Sequence, residues 1–355
     1  LIDAARFWLD RGVDGFRVDA INFAMHNPAL TDNPPAPDTG KPRTRPFDFQ
    51  LKVNNQSQPQ VPAFLQRYRA MLDDYGAIFT VAEVGGDQAI HEMKAYTAGE
   101  DHLNSAYGFD FLYAEQLTPA VVAAALGEWP DEPGMGWPSW AFANHDAPRW
   151  ISRWTPNGAP ADVRDAFARV TLLLFVALRG NIILWQGEEL GLTQVDIPFE
   201  RLQDPEAIAN WPLTLSRDGA RTPMVWSDNA PHGGFSHADP WLRVGADHGP
   251  LAVAGQEGAP ASLLNWTRRL IALRQAQPAL RLGTLDIITA KGDLLVLTRS
   301  WQGETLLCAY NLGATPLDWT PPSAPVGQGW TLLADSGNAN LCKLPPYSGL
   351  IARGA

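Results

Sequence analysis

Three short segments each set a carboxylate at the end of an apolar, β-type run: Gly15-Phe16-Arg17-Val18-Asp19-Ala20, Phe79-Thr80-Val81-Ala82-Glu83-Val84 and Phe142-Ala143-Asn144-His145-Asp146. Residues suited to a loop follow each acid, so Asp19, Glu83 and Asp146 are expected to project from strand tips. Arg17 and His145 each stand close to an acid. Acids on converging strand tips, with a cation beside them, can stabilise a developing positive charge and move protons. Cleavage of a glycosidic bond is the chemistry this set fits best.

Taken singly, each acid reads equally well as a surface or capping carboxylate. The ordered set with Arg17 and His145 favours a site. Glu188 and Glu189 form another carboxylate pair, better explained as a structural turn after a strand. Asp101, His102, His232 and His237 are scattered in loops without metal-ligand spacing and are expected to be solvated. Arg221 is divided between packing support and substrate contact.

The elements that must position these groups follow from periodicity. Residues 1–11 read as a helix stopped by Gly12, and 13–18 as a strand on which Arg17 and Asp19 share one face. The stretch 26–62 is rich in proline, asparagine and aspartate. It fits a linker or a disordered segment, but it lies between a strand ending in an acid and a helix at 63–75, which favours a long loop over the site. Further strands are expected at 77–83, 103–111, 139–144 and 181–186. Helices are expected at 161–178 and 262–276, the latter with Ser262 as its N-cap. Alternating strands and helices imply a parallel sheet, and acids at strand C-termini suggest a barrel. Only five such strands can be counted, too few to close a barrel of eight. From about residue 285 the pattern becomes short β runs, including 293–299 and 304–311 around a turn at Trp301-Gln302-Gly303. A small antiparallel β-sandwich without a catalytic group is expected there.

Composition narrows the partners. The chain has 355 residues, is 45% hydrophobic and carries a net charge of -11, which argues against nucleic acid or an anionic membrane surface. The apolar run 170–178 is too short to span a bilayer and reads as a buried helix. The cysteines, Cys308 and Cys342, suit small apolar core positions rather than zinc or a disulfide framework. Among 14 tryptophans, Trp150, Trp154, Trp185, Trp211, Trp226 and Trp241 could line a sugar site, although most are expected in the core. The sequence opens on Leu1 inside a helical pattern, so it is expected to begin within a longer protein.

These motifs resemble the α-amylase superfamily, the family 13 glycoside hydrolases, and within it the bacterial α-glucosidases and oligo-glucosidases. The resemblance is carried by Gly15–Ala20, Val81–Glu83 and Asn144–Asp146. Three further segments add to it: Gln186-Gly187-Glu188-Glu189-Leu190-Gly191, Ser216–Trp226 and Leu270–Arg274. It implies the C-terminal five or so units of a (β/α)8 TIM barrel over 1–283, with the N-terminal units and an inserted domain B missing, and the β-sandwich over 284–355.

The resemblance also implies roles. Asp19 would be the nucleophile, Glu83 the general acid and base, and Asp146 the third carboxylate that binds sugar hydroxyls. Arg17 would keep Asp19 ionised, His145 would bind hydroxyls, and Arg217 would help close the pocket against the non-reducing glucose. A retaining mechanism places the Asp19 and Glu83 carboxyls about 5–5.5 Å apart. The implied activity is a retaining, exo-acting α-glucosidase acting on maltose-like or short α-glucosides. Ala20 leans it toward α-1,4 linkages, because valine at that position tends to accompany α-1,6 cleavage. The alternatives are an α-glucosyl transferase on the same scaffold, or a non-catalytic transporter-associated relative, which the retained acids disfavour. No cofactor is expected in this chain, and any calcium ion belongs to the missing N-terminal part. The implied partners are small α-glucosides, with no nucleic acid and no membrane. The expected location is cytoplasmic, and the oligomeric state is left open.

Overall fold

A computed structural model describes residues 1–40, 42–129, 136–214, 216–324 and 329–354. The chain divides into two compact units. One comprises 1–109, 128–140 and 210–214, and the other 110–127, 141–209 and 215–355.

In the first unit, β1 (Gly15–Val18), β2 (Phe79–Glu83), β3 (Ser105–Tyr107) and β4 (Pro138–Ala141) pair in parallel and in chain order. Gly15 lies opposite Phe79, and a Cβ at Gly15 would meet the Phe79 carbonyl oxygen at 2.4 Å, so glycine permits this close approach. Helix α1 (Ile2–Leu9) buries Ala5 and Leu9, α2 (Val61–Asp73) buries Val61, Leu65, Met71 and Leu72, and α3 (Ala89–Tyr96) follows β2.

The proline-rich stretch after β1 is not a linker. Asparagine side chains fold it back on itself: Asn27 Nδ2 donates to Asn54 Oδ1 at 2.9 Å, and Asn54 Nδ2 donates to the Asp32 carbonyl at 2.9 Å. Backbone bonds from Leu51 to Pro34 and from Ala36 to Phe49 close the loop. Proline cannot donate, so the amides and asparagines supply the hydrogen bonds.

The second unit holds α4 (Pro119–Gly127), α5 (Trp150–Trp154), α6 (Ala161–Ala177), β5 (Asn181–Ile183), α7 (Pro205–Asn210), α8 (Val253–Glu257), α9 (Leu263–Ala276) and α10 (Pro278–Leu282). Helix α6 is buried over nearly all of its second half, as its apolar run requires. Helix α9 begins as expected, with Ser262 Oγ accepting from the Asn265 amide.

Strands β6 (Thr284–Lys291), β7 (Leu294–Trp301), β8 (Glu304–Asn311), β10 (Trp330–Ser336) and β12 (Ser348–Gly354) form an antiparallel sheet ordered β10-β12-β8-β7-β6. Gln302 and Gly303 both have positive φ, the geometry of a two-residue hairpin turn between β7 and β8. The sandwich is lopsided. Among the described residues its second layer is the ribbon β9 (Leu317–Asp318) with β11 (Lys343–Leu344), whose Leu317 and Leu344 pack against Val296, Leu307 and Leu350. The other face lies on α6, where the Tyr310 hydroxyl meets the Leu173 carbonyl at 3.4 Å.

Only one cysteine is a core residue. Burial pushes the Cys308 thiol up to about 12, whereas Cys342 is exposed. Among the described residues no helix is long and apolar enough to cross a membrane, and no three metal-ligating side chains cluster. Asp101 and His102 are not merely solvated: they pair at 2.7 Å, and Asp101 also accepts from Gln66 at 2.8 Å.

Candidate active site

Arg17 gathers the groups at the strand ends of the first unit. Its neighbours in the sheet place Val18 beside Ala82 and Glu83 beside Tyr107, so the ends of β1, β2 and β3 lie side by side. Arg17 donates to Asp19 Oδ1 and to the Tyr107 hydroxyl at 2.8 Å, and its Nη2 forms an ion pair with Glu83 Oε2 at 2.7 Å. A planar guanidinium suits this task because its donors fan out in fixed directions. Burial works against the charge on Arg17. The Tyr107 hydroxyl and the two carboxylates outweigh it and hold the guanidinium above its ordinary pKa.

The two acids differ in environment. The Glu83 side chain is 11% exposed and that of Asp19 is 73% exposed. Asp19 stands just past β1, and the next residue, Ala20, takes a left-handed conformation at φ 42° that turns the chain into a short 3-10 turn. A non-glycine residue there is strained, and a side chain as small as alanine limits the cost.

Behind the acids, Asn22 is fully buried and its Nδ2 donates to the Gly85 carbonyl and to Glu92 Oε2, both at 2.8 Å. Gln56 also donates to the Gly85 carbonyl at 2.9 Å. The turn after Asp19, the long loop and the turn after Glu83 are thereby tied together.

In the second unit, His145, Asp146 and Arg217 come together, joined by Arg221. Asp146 is not on a strand tip: β4 ends at Ala141, and Asn144 Oδ1 accepts the amides of Asp146 and Ala147 at 2.8 Å each. That side-chain turn competes with further strand pairing. Phe142 anchors the segment against Phe111, Trp154 and Phe175, with ring centroids 5.0, 5.1 and 4.2 Å away.

Asp146 Oδ1 accepts from Arg221 at 2.9 Å and from Arg217 at 3.4 Å, and its Oδ2 lies 3.3 Å from His145 Nε2. Arg221 also donates to the His145 carbonyl at 2.7 Å, so it holds the acid and the backbone at once. Arg217 is gripped by Asp204, whose carboxyl the guanidinium holds at about 2, below the usual range. The Trp185 ring lies 6.0 Å from that of His145 and donates to the Ala220 carbonyl at 2.9 Å.

The Glu188-Glu189 pair serves the turn, as the sequence suggests. Glu188 accepts the Trp185 amide at 3.0 Å and Glu189 the Gly187 amide at 2.8 Å. Gly187 is left-handed at φ 91°, and a Cβ there would meet Arg149 Nη1 at 2.9 Å. The buried Arg149 in turn donates to the Gln186 and Ala220 carbonyls at 2.6 and 3.2 Å. Of the candidate tryptophans, Trp150 and Trp154 are core residues, while Trp211, Trp226 and Trp241 are about half exposed or more.

Sequence reasoning missed Tyr107, Asp204 and Arg149. Tyr107 carries a usable signal, an aromatic hydroxyl at a strand end; Asp204 and Arg149 carry none at the level of spacing.

Comparison with known proteins matches the model for the α-amylase catalytic domain over residues 1–283. The chain belongs to the α-amylase family. This α-amylase-family chain is 42% identical over 318 residues to a "Probable alpha-glucosidase" of Rhizobium meliloti (strain 1021), covering 88% of the chain and 57% of that protein. It is 29% identical to an "Oligo-1,6-glucosidase" of Halalkalibacterium halodurans, covering 98% of the chain and 66% of that protein. The crystal structure of an α-glucosyl transfer enzyme, XgtA, superposes with a TM-score of 0.88 at 35% identity, over 100% of this chain and 66% of that one. The chain therefore spans roughly six-tenths of the length of these relatives. Its fold is that of the family's (β/α)8 enzymes in part, followed by the antiparallel β domain.

Proposed function

We propose that this chain carries the catalytic acids of a retaining, exo-acting α-glucosidase that releases terminal α-linked glucose, α-1,4 in preference, from maltose-like or short α-glucosides. The observation that carries the reading is the Arg17 fork, which sets Asp19 and Glu83 together at neighbouring strand ends. The printed name of the Rhizobium meliloti relative supports it.

In the proposed mechanism Asp19 attacks the anomeric carbon as Glu83 gives its proton to the departing glycosidic oxygen, leaving glucose esterified to Asp19. Glu83, now a carboxylate, takes a proton from water, and the water oxygen displaces Asp19 from the sugar. Two inversions return the original configuration. Arg17 keeps Asp19 ionised and oriented. Asp146, with His145 and Arg217, takes up sugar hydroxyls and favours the oxocarbenium-like transition state. We assign the chemistry to residues 1–283 and a supporting role to 284–355, since the family match stops at 283 and the antiparallel strands begin at Thr284.

Asp19→Asn should abolish glucose release from maltose while the fold persists; substantial residual hydrolysis would overturn the assignment. Transfer of glucose to an acceptor is the second reading, favoured by the likeness to an α-glucosyl transfer enzyme. Product analysis at high acceptor concentration separates the two, because they differ only in what reaches the glucosyl ester.

A further inference from the structure

We propose that Asp204 is a positioning residue that locks the Arg217 guanidinium in one orientation, leaving Nη1 directed at Asp146. This rests on the reading of Arg217 as a contact for the substrate's terminal glucose, but the lock itself is a property of the second unit alone.

Both Asp204 oxygens are engaged. Oδ2 accepts the Arg217 amide and Nε, each at 3.0 Å, and Oδ1 accepts Arg217 Nη2 at 2.7 Å. Parallel bonds to Nε and Nη2 fix rotation about the end of the arginine side chain, which a single point contact would leave free. The remaining nitrogen, Nη1, is the one that lies 3.4 Å from Asp146 Oδ1.

The acid is itself held rigidly. Its side chain is 2% exposed, and Oδ1 also accepts the Glu206 amide at 3.2 Å at the start of α7. The neighbouring backbone is tied reciprocally: Asp218 Oδ2 accepts the amides of Gln203 and Asp204 at 2.7 and 3.0 Å. Segments 203–206 and 217–218 thus clasp each other through two carboxylates. A long, flexible arginine that must present one edge to a sugar gains affinity when its rotamer is fixed beforehand.

Asp204→Asn removes the charge, while Asp204→Ser keeps a side chain able to cap α7 and guards against loss of that helix. Two readouts decide the proposal. In nitrogen-labelled protein, exchange of the Arg217 Nε proton with solvent should quicken at least about tenfold in both variants, the resonance being assigned by its loss in Arg217→Lys. The KM for maltose should rise about tenfold with a smaller change in kcat, and the rise should vanish when Arg217 is already alanine. Unchanged Nε exchange, or an equal KM rise in the Arg217→Ala background, would overturn the proposal. Absence of glucose release by the unaltered protein would overturn the glucosidase reading, while the exchange measurement still decides the lock.

Discussion

Arg17 on β1 meets the Glu83 carboxylate at the end of β2 at 2.7 Å, while it also holds Asp19. One guanidinium thus governs both acids of the proposed double displacement. This goes beyond the sequence reading, which paired Arg17 with Asp19 alone. Strand register produces the relationship: Arg17 lies beside Val81, two residues before Glu83 on the adjacent strand.

Arg17→Lys should therefore lower kcat for maltose about 100-fold with little change in KM, because an ammonium cannot span the three partners. Tyr107→Phe, which deletes one of those bonds, should cost about 5-fold. Steady-state glucose release checks both; a lysine variant retaining more than about a tenth of kcat would show that the fork is not needed.

Asn22 joins the turns behind the two acids. Asn22→Ala should destabilise the fold by about 2–3 kcal/mol, since it strips buried bonds from the Gly85 carbonyl and from Glu92. Asn22→Asp should be worse, because it sets a second carboxylate against Glu92. Urea unfolding gives the order; an aspartate variant as stable as the original would contradict it.

Glu188 supplies a pH signature. Burial pushes it up to about 8, against the pull of the Trp185 amide and of Arg149. The folded state binds this proton more tightly than the unfolded chain, so its contribution is complete below about pH 4.5 and declines as pH rises toward 8. Denaturant midpoints should fall across that window. Glu188→Gln should flatten the decline, and an unchanged slope would assign it to another group.

Arg299, fully buried, donates to the carbonyls of Ala177 at 2.6 Å, Gly283 at 2.8 Å and Thr284 at 3.0 Å. It satisfies the C-terminal end of α6 and the start of β6. Arg299→Met should cost about 3 kcal/mol of stability, through orphaned carbonyls, while leaving kcat at 25 °C near its original value. Thermal unfolding alongside an activity assay tests this; a variant as stable as the original would show that the carbonyls find other donors.

Much of this was legible beforehand, for identifiable reasons. The four parallel strands of the first unit appear where apolar runs end in loop residues, and α9 starts at Ser262 because a hydroxyl cap is a local signal. The Asn144 turn was not legible, since an apolar run such as Trp140 to Ala143 continues as strand or bends according to side-chain bonds that periodicity does not record. Asp204 was invisible for a related reason: an aspartate before a proline reads as a turn, and its grip on Arg217 depends on two loops meeting.

The sequence by itself determined which residues carry charge, where the apolar runs stop, and hence that Asp19 and Glu83 stand at strand ends. Those properties are local, encoded in alternation, capping and turn composition within a few residues. Tertiary structure alone decided that Arg17 serves both acids, that Arg217 is held by Asp204 and that Asp146 is bonded to two arginines. Each of these depends on groups far apart in the chain approaching within 3.4 Å, set by strand register and loop packing rather than by spacing in sequence.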